Sequence, residues 1–369
     1  MKENNIVLFC TEFHFLKIFF IEQAKNLSKF GHVYIVCSMT DDEFNSEFSD
    51  FENIFHFKVK VGRKISLLDD VHSFFKVIGL LISKRPILAQ SIFPKSGFLG
   101  MLTSFLCFVP VRSHIFTGQV WANRTGLKRK LLKLADIMIA FCATDVLADG
   151  ASQMKFLIKE KVINPSKISV LGKGSISGVE TTATKEERKY DDNKDITCIY
   201  FGRLTHEKGF DVVLETFEYF KRNRIDIKLI VIGADEDNFK EEIKKLTNIR
   251  YMGFVESPPE YIKKSDVLLL PSHREGFGSV VIEAGSLGVP CIGSNIYGLS
   301  DALIDNFNGL KLKQIHSKDL AALILRLNND KQFLQELSKN AKRYADENFN
   351  KTLVLRNWEN YFNNLIKRY

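Results

Sequence analysis

None of the six cysteines (Cys10, Cys37, Cys107, Cys142, Cys198, Cys291) forms a C-x-x-C pair; they are scattered and mostly sit in apolar runs. That spacing fits neither a zinc finger nor a secreted disulfide framework; reduced, buried thiols in a cytoplasmic protein are the expectation. Long apolar runs are missing too. The longest, Val71 to Ser83 and Phe98 to Val111, are interrupted and too short to span a bilayer, so any membrane contact is expected to be peripheral. Met1 to Asn5 is polar and leads into a short strand, which argues against a signal peptide. No aromatic–basic module for nucleic acid stands out. His206 has no histidine or carboxylate at metal-ligand spacing, and no metal site is expected.

What is present suits a soluble globular chain of 369 residues, 45% hydrophobic and 26% charged, long enough for two cores. The net charge of +8 is uneven. Residues 1–180 carry 23 Lys+Arg against 16 Asp+Glu, while residues 181–369 carry 29 against 28. The basic half also holds most of the Phe-rich segments, a combination that suits an anionic membrane surface better than nucleic acid.

Apolar strands alternate with helical stretches throughout. The first half reads as strands at 6–9, 32–36, 54–59, 87–89, 111–116, 136–141 and 168–171. Helices are expected at 16–30, 67–83, 97–107 and 145–160. The loop Cys10 to His14 contains no glycine, so a dinucleotide fingerprint is absent there. The polar loop after the fifth strand, with Thr117, Gly118, Gln119 and Arg124, is a candidate for contacting an acceptor. The basic run Arg124, Lys128, Arg129, Lys130, Lys133 reads either as a solvated helix face or as a contact for phosphate or anionic lipid heads. Glycine-rich 172–178 and the charged, aperiodic stretch to Asp195 mark a junction. Strands then restart at 196–201, 228–232, 249–253, 267–270, 291–292 and 309–312, with helices between and after them. The expected division is an N-terminal α/β domain at 1–175, a linker at 176–195, a second α/β domain at 196–350, and a C-terminal helix at 351–369.

Two stretches carry the chemistry. In Asp266 to Ile292 a buried strand ends at Pro271, and Gly276-Phe277-Gly278-Ser279 opens a helix. A glycine turn at a helix N-terminus admits a phosphate to unpaired N–H groups. Glu275 and Glu283 bracket that turn; as anions they repel phosphate but accept from ribose or sugar hydroxyls. The second stretch is Gly202-Arg203-Leu204-Thr205-His206-Glu207-Lys208-Gly209, which sets two cations five residues apart at another strand-to-helix turn. Such a pair suits a diphosphate, and neutralising it as it leaves a sugar is electrostatic catalysis.

G-R-L-x-x-x-K-G followed by E-G-F-G-x-x-x-x-E-A resembles the retaining family 4 glycosyltransferases. Gly253-Phe254-Val255, Gly288-Val289-Pro290 and Asn308-Gly309-Leu310 fall in the family's order, and the resemblance is strong over the second domain and weak over the first. Phe116 to Trp121 and Val170 to Ser175 look like bacterial enzymes that build O-antigen or capsule repeat units. The resemblance implies the GT-B fold: two Rossmann-like parallel-sheet α/β domains facing across a cleft, with a C-terminal helix that can cross back to the first. It implies Gly202, Arg203, Lys208, Phe254, Glu275, Gly276, Phe277, Gly278, Ser279 and Glu283 as the donor site. Arg203 and Lys208 would hold the diphosphate with the backbone N–H groups of 277–279. Glu275 would meet the sugar, Glu283 the ribose, and the backbone near Phe254 the base.

Arg203, Lys208 and Glu275 would then be the catalytic residues, with no metal, no cofactor and no covalent nucleophile. The partners implied are a nucleotide sugar, expected to be a UDP sugar, a polyprenyl-diphosphate-linked saccharide, and the inner face of the cell membrane, held peripherally. Two departures fall in the first domain. Thr117 stands where many relatives have a histidine, and the first βα loop lacks its glycines. Two other readings stay open: a non-catalytic nucleotide-sugar-binding subunit, and a UDP-N-acetylhexosamine 2-epimerase.

Overall fold

The computed structural model describes residues 4–62, 66–181 and 187–368. Residues 1–3 of the polar start, 182–186 of the expected linker and Tyr369 of the last helix lie outside them. The chain divides into two compact units, 1–177 with 352–369, and 178–351.

The first unit is built on seven strands: β1 (Asn4–Glu12), β2 (Gly31–Ser38), β3 (Ile54–Lys58), β4 (Leu88–Ile92), β5 (Val111–Phe116), β6 (Asp145–Ala148) and β7 (Ile168–Val170). They form one sheet in the order β3-β2-β1-β4-β5-β6-β7, every pairing parallel. Between them run α1 (Phe13–Phe19), α2 (Ile21–Leu27), α3 (Asp41–Phe48), α4 (Leu67–Lys84), α5 (Pro94–Leu106), α6 (Gly126–Cys142) and α7 (Ala151–Lys159). The apolar run of β1 is buried on both faces, as parallel strands covered by helices must be. Its alternation sends Val7 and Phe9 into a core shared with α4–α7, and Ile6, Leu8 and Cys10 into a core shared with α1 and α2.

Three local expectations are corrected. Residues 136–141 are helical, the last turns of α6. The run DIMIAF reads as a strand, but Asp136, Ile139, Ala140 and Cys142 are buried at helical spacing. The sixth strand is 145–148, so the expected helix at 145–160 shortens to α7. The stretch 16–30 is two short helices and a 3-10 turn, broken at Phe20, whose backbone leaves helical angles. In the polar stretch 40–50, Asp41–Phe48 form α3, started by a reciprocal capping box between Thr40 and Glu43. In addition, Cys10 to Glu12 continue β1 and α1 begins at Phe13, so no open loop follows the first strand.

The second unit carries β8 (Thr197–Phe201), β9 (Lys228–Ile232), β10 (Ile249–Gly253), β11 (Val267–Leu270), β12 (Cys291–Ser294) and β13 (Gly309–Leu312). Its helices are α8 (Phe210–Arg222), α9 (Lys240–Ile243), α10 (Pro258–Lys263), α11 (Ser279–Ser286), α12 (Ser317–Asn329) and α13 (Lys331–Phe349). The sheet is parallel in the order β10-β9-β8-β11-β12-β13. That order reverses between β8 and β11, where connections leave in opposite directions and open a crevice at the strands' carboxyl ends.

The final helix α14 (Lys351–Ile366) belongs to the first unit from Thr352 onward. Trp358 and Phe362 are fully buried beside Leu8, Leu16 and Ile115, and the Trp358 indole N–H donates to the Ile176 carbonyl at 2.9 Å. Parts of the stretch 176–195 are anchored. Ile176 sits in the first unit's core, and Arg188 donates to the carbonyl of Ser265 at 2.6 Å in the second.

Candidate active site

The site grows from the reversal point of the second sheet. β8 ends at Phe201 and the chain turns through 202–209 into α8; β11 ends at Leu270 and turns through 271–278 into α11. The two turns touch. Gly209 has φ 70°, and a Cβ there would strike the Pro271 carbonyl. A Cβ on Gly298 would likewise strike the carbonyl of Glu275. Tyr200, buried in β8, donates its hydroxyl to the Arg203 carbonyl at 2.7 Å and holds the first turn from below.

Lys208 and Glu275, 67 residues apart, meet across this point. Lys208 Nζ lies 2.6 Å from Glu275 Oε1, with side-chain exposures of 19% and 11%. The Ser272 hydroxyl donates to the same oxygen at 2.8 Å. Arg203 is held outward: its guanidinium lies 2.7 Å from Glu236 and 3.8 Å from Glu207. Glu207 in turn accepts two bonds from Arg274, at 3.1 and 2.7 Å. The Arg274 guanidinium and its neighbours hold the Glu207 carboxyl below the usual range against the cost of burial.

α11 starts on Gly278, left-handed at φ 79°, with no side chain accepting from its first turn. α8 starts on Gly209 in the same way. Two helix N-termini near the same reversal point are therefore uncapped by protein side chains, and each offers N–H groups to an anion. Glu283 lies in the second turn of α11. Its carboxylate is partly buried and, among the described residues, has no hydrogen-bond or ion-pair partner. Burial pushes that carboxyl up to about 7.

Of the residues singled out in the sequence, Gly202, Arg203, Lys208, Glu275, Gly276, Phe277, Gly278, Ser279 and Glu283 all fall on the two turns and the helix they open. Phe277 is a core residue, packed on Phe349 at 5.3 Å between ring centroids, so only its backbone is available there. Phe254 follows β10 at the same end of the sheet and leaves its ring 81% exposed. In the first unit Thr117 is half-buried, Gly118 and Gln119 are buried, and Arg124 is exposed. His114, not assigned a role from sequence, is fully buried on β5, bonded at 2.8 Å to Ser91, and burial lowers its pKa to about 3. Sequence reasoning missed Glu207, Glu236, Ser272 and Arg274. Ser272 carried a signal, three residues before Glu275; Glu236 carried none, since only the fold brings β9's loop to Arg203.

Two parallel-sheet α/β units, the second with an uncapped, cation-bearing reversal point, define the fold class: the GT-B architecture. Residues 182–344 match the family "Glycosyl transferases group 1". The chain is 28% identical over 334 residues to the capsular polysaccharide biosynthesis glycosyltransferase CapM of Staphylococcus aureus, covering 87% of this chain and 88% of that protein. It is 27% identical over 305 residues to the UDP-Gal:alpha-D-GlcNAc-diphosphoundecaprenol alpha-1,3-galactosyltransferase of Escherichia coli, covering 78% of each. Among solved structures, Anabaena Alr3699/HepE in complex with UDP superposes with a TM-score of 0.75 at 14% identity, over 98% of this chain and 100% of that one. At that identity the likeness speaks for the fold.

Proposed function

We propose that this glycosyltransferase moves a sugar, hexose or N-acetylhexosamine, from a UDP sugar to a polyprenyl-diphosphate-linked saccharide, with retention at the anomeric carbon, in capsule or O-antigen synthesis. The observation that carries the reading is the Lys208–Glu275 pair at 2.6 Å, which sets a cation for phosphate and an acceptor for sugar hydroxyls at one reversal point. The names of the Staphylococcus and Escherichia relatives support the polysaccharide and lipid-linked acceptor.

In this reading the diphosphate replaces the carboxylates now facing Lys208 and Arg203, and the backbone N–H groups of 277–279, where the chain enters α11, close on its oxygens. Gly202 and Gly276 let the backbone approach. Glu275 turns to the hydroxyls of the transferred sugar, the unpartnered Glu283 takes the ribose hydroxyls, and the backbone near Phe254 meets the base. As the bond from anomeric carbon to phosphate oxygen breaks, Arg203, Lys208 and the helix terminus neutralise the leaving diphosphate. The acceptor hydroxyl attacks the same face and passes its proton to a phosphate oxygen, so neither a metal nor a covalent nucleophile takes part. Thr117, Gly118, Gln119 and Arg124 are the acceptor-side contacts.

Calorimetric titration with UDP tests the donor site. Wild-type protein should bind, and Lys208→Ala should weaken binding by about tenfold or more. Equal binding by both would remove Lys208 from the site.

A further inference from the structure

In the first unit, α4, α5 and α6 all connect strands in the same direction along the sheet, and their buried sides share one core. Their outer sides are unusual. Among the described residues, 19 large apolar side chains are exposed, and 14 of them lie on these three helices or at Phe108 just after α5. Scattered exposure needs no explanation; concentration on one layer does.

The pattern on α6 is regular. Leu127, Leu131, Leu134, Met138 and Phe141 recur at three- and four-residue spacing and are all exposed. At 100° per residue they form a stripe about 80° wide running the ~25 Å of the helix. The opposite face, with Asp136, Ile139 and Ala140, is buried. Phe141 meets Phe105 of α5 at 5.7 Å between ring centroids, which carries the apolar surface across to Leu106 and Phe108.

The charges follow the stripe. By the same helical angles Lys130 lies about 60° to one side of the stripe's centre and Lys128 about 100° to the other. Both are exposed, as is Arg124 just before the helix, and none pairs with a carboxylate among the described residues. Arg129 and Lys133, by contrast, are committed to Glu160 at 2.9 and 2.7 Å. Across α5 and α6 the one carboxylate is Asp136, buried and donated to by the Trp121 indole at 2.7 Å. On α4, Asp69 and Asp70 sit at the first turn, facing Lys60 and Lys95.

We propose that this α4–α6 face docks on an anionic lipid bilayer, the α6 stripe entering the headgroup–acyl boundary and Lys128, Lys130 and Arg124 reaching lipid phosphates. An apolar stripe flanked by lysines on an otherwise polar chain is the arrangement of a helix lying in the interfacial plane. A second copy fits poorly, because self-pairing would set lysine against lysine with no exposed carboxylate on α5 or α6 to offset them. The inference stands apart from the donor-site reading and survives its failure.

Vesicle sedimentation of the full chain tests it. The protein should pellet with phosphatidylglycerol–phosphatidylcholine vesicles and far less with phosphatidylcholine alone. L131Q with F141Q should cut partitioning by about tenfold or more, and K128E with K130E should remove the preference for anionic lipid. Unchanged UDP binding and unfolding midpoints would show that the variants are folded. Partitioning that ignores these substitutions, or that shows no preference for the anionic lipid, overturns the proposal. So does a concentration-dependent dimer, seen by analytical ultracentrifugation and lost in L131Q/F141Q, which would assign the face to a second copy.

Discussion

Lys208 and Glu275 neutralise one another at 2.6 Å, so under the proposed function each masks what the other would bind. Glu275→Ala therefore does two things: it removes the sugar contact and frees the lysine. If Glu275 holds the transferred sugar, the variant should lose transfer by ~10²–10³-fold while binding UDP at least as tightly as wild type. A non-catalytic subunit would show the UDP effect and no transfer in either form. Arg203 gives a second residue-scale prediction. Glu236 holds it by an exposed pair, which is worth little in solvent, so Glu236→Gln should tighten UDP binding by only about two- to fivefold. Weakened binding would instead make Glu236 a donor contact.

Glu283 gives the third prediction, through pH. Its folded carboxyl titrates near 7 against the ordinary 4.5, so between those values the folded chain binds the extra proton. Stability from this site is thus present below about 4.5 and is lost as pH rises through 7. The full interval would be worth ~3 kcal/mol, which partial exposure reduces to about 1–2. Glu283→Gln should raise the unfolding midpoint at pH 8 by a few degrees, about 2–6 °C, and change it little at pH 5. Thermal scans at both pH values check this; an equal shift at both would contradict it.

At the scale of elements, the two glycine turns are what the fold uses to bring the charged groups together. Gly278 combines a left-handed φ of 79° with Leu299 packed where a Cβ would go. Gly278→Ala should lower the stability of the second unit by about 1–3 kcal/mol and weaken UDP binding, as urea unfolding and titration would reveal. The same turns explain what could be read in the sequence. Lys208, Gly209, Gly278 and Glu275 were legible because a glycine at a strand-to-helix turn has few other uses. Glu236 was not, because its role comes from β9 lying beside β8. The α6 segment was misread for a related reason: Ile137 to Phe141 is continuously apolar, and a helix with one face in the core and the other exposed but apolar loses the alternation that separates helix from strand. The Thr40–Glu43 capping box was present in the sequence and could have revealed α3.

For the whole molecule, the last helix belongs to the first unit although the second unit precedes it in the chain. The protein has two tryptophans, Trp121 and Trp358, both fully buried in the first unit, so indole fluorescence reports that unit's unfolding. Phe362→Ala, which empties a buried ring position against Trp358 at 5.1 Å, should cost the first unit about 3–4 kcal/mol. The urea midpoint followed by fluorescence should fall, while UDP affinity, proposed to reside in the second unit, should hold. A fall in both would mean that the two units unfold as one.

The central claim is that the Lys208–Glu275 reversal point binds a UDP sugar whose sugar is then transferred. The most direct test offers a panel of nucleotide sugars with a polyprenyl-diphosphate-linked saccharide and weighs the product by mass spectrometry, for wild type and Glu275→Ala. The account predicts an acceptor heavier by one hexose or N-acetylhexosamine with a UDP donor, and almost none with the variant. Transfer that persists undiminished in Glu275→Ala would contradict it, as would an acceptor unchanged by every UDP sugar in the panel.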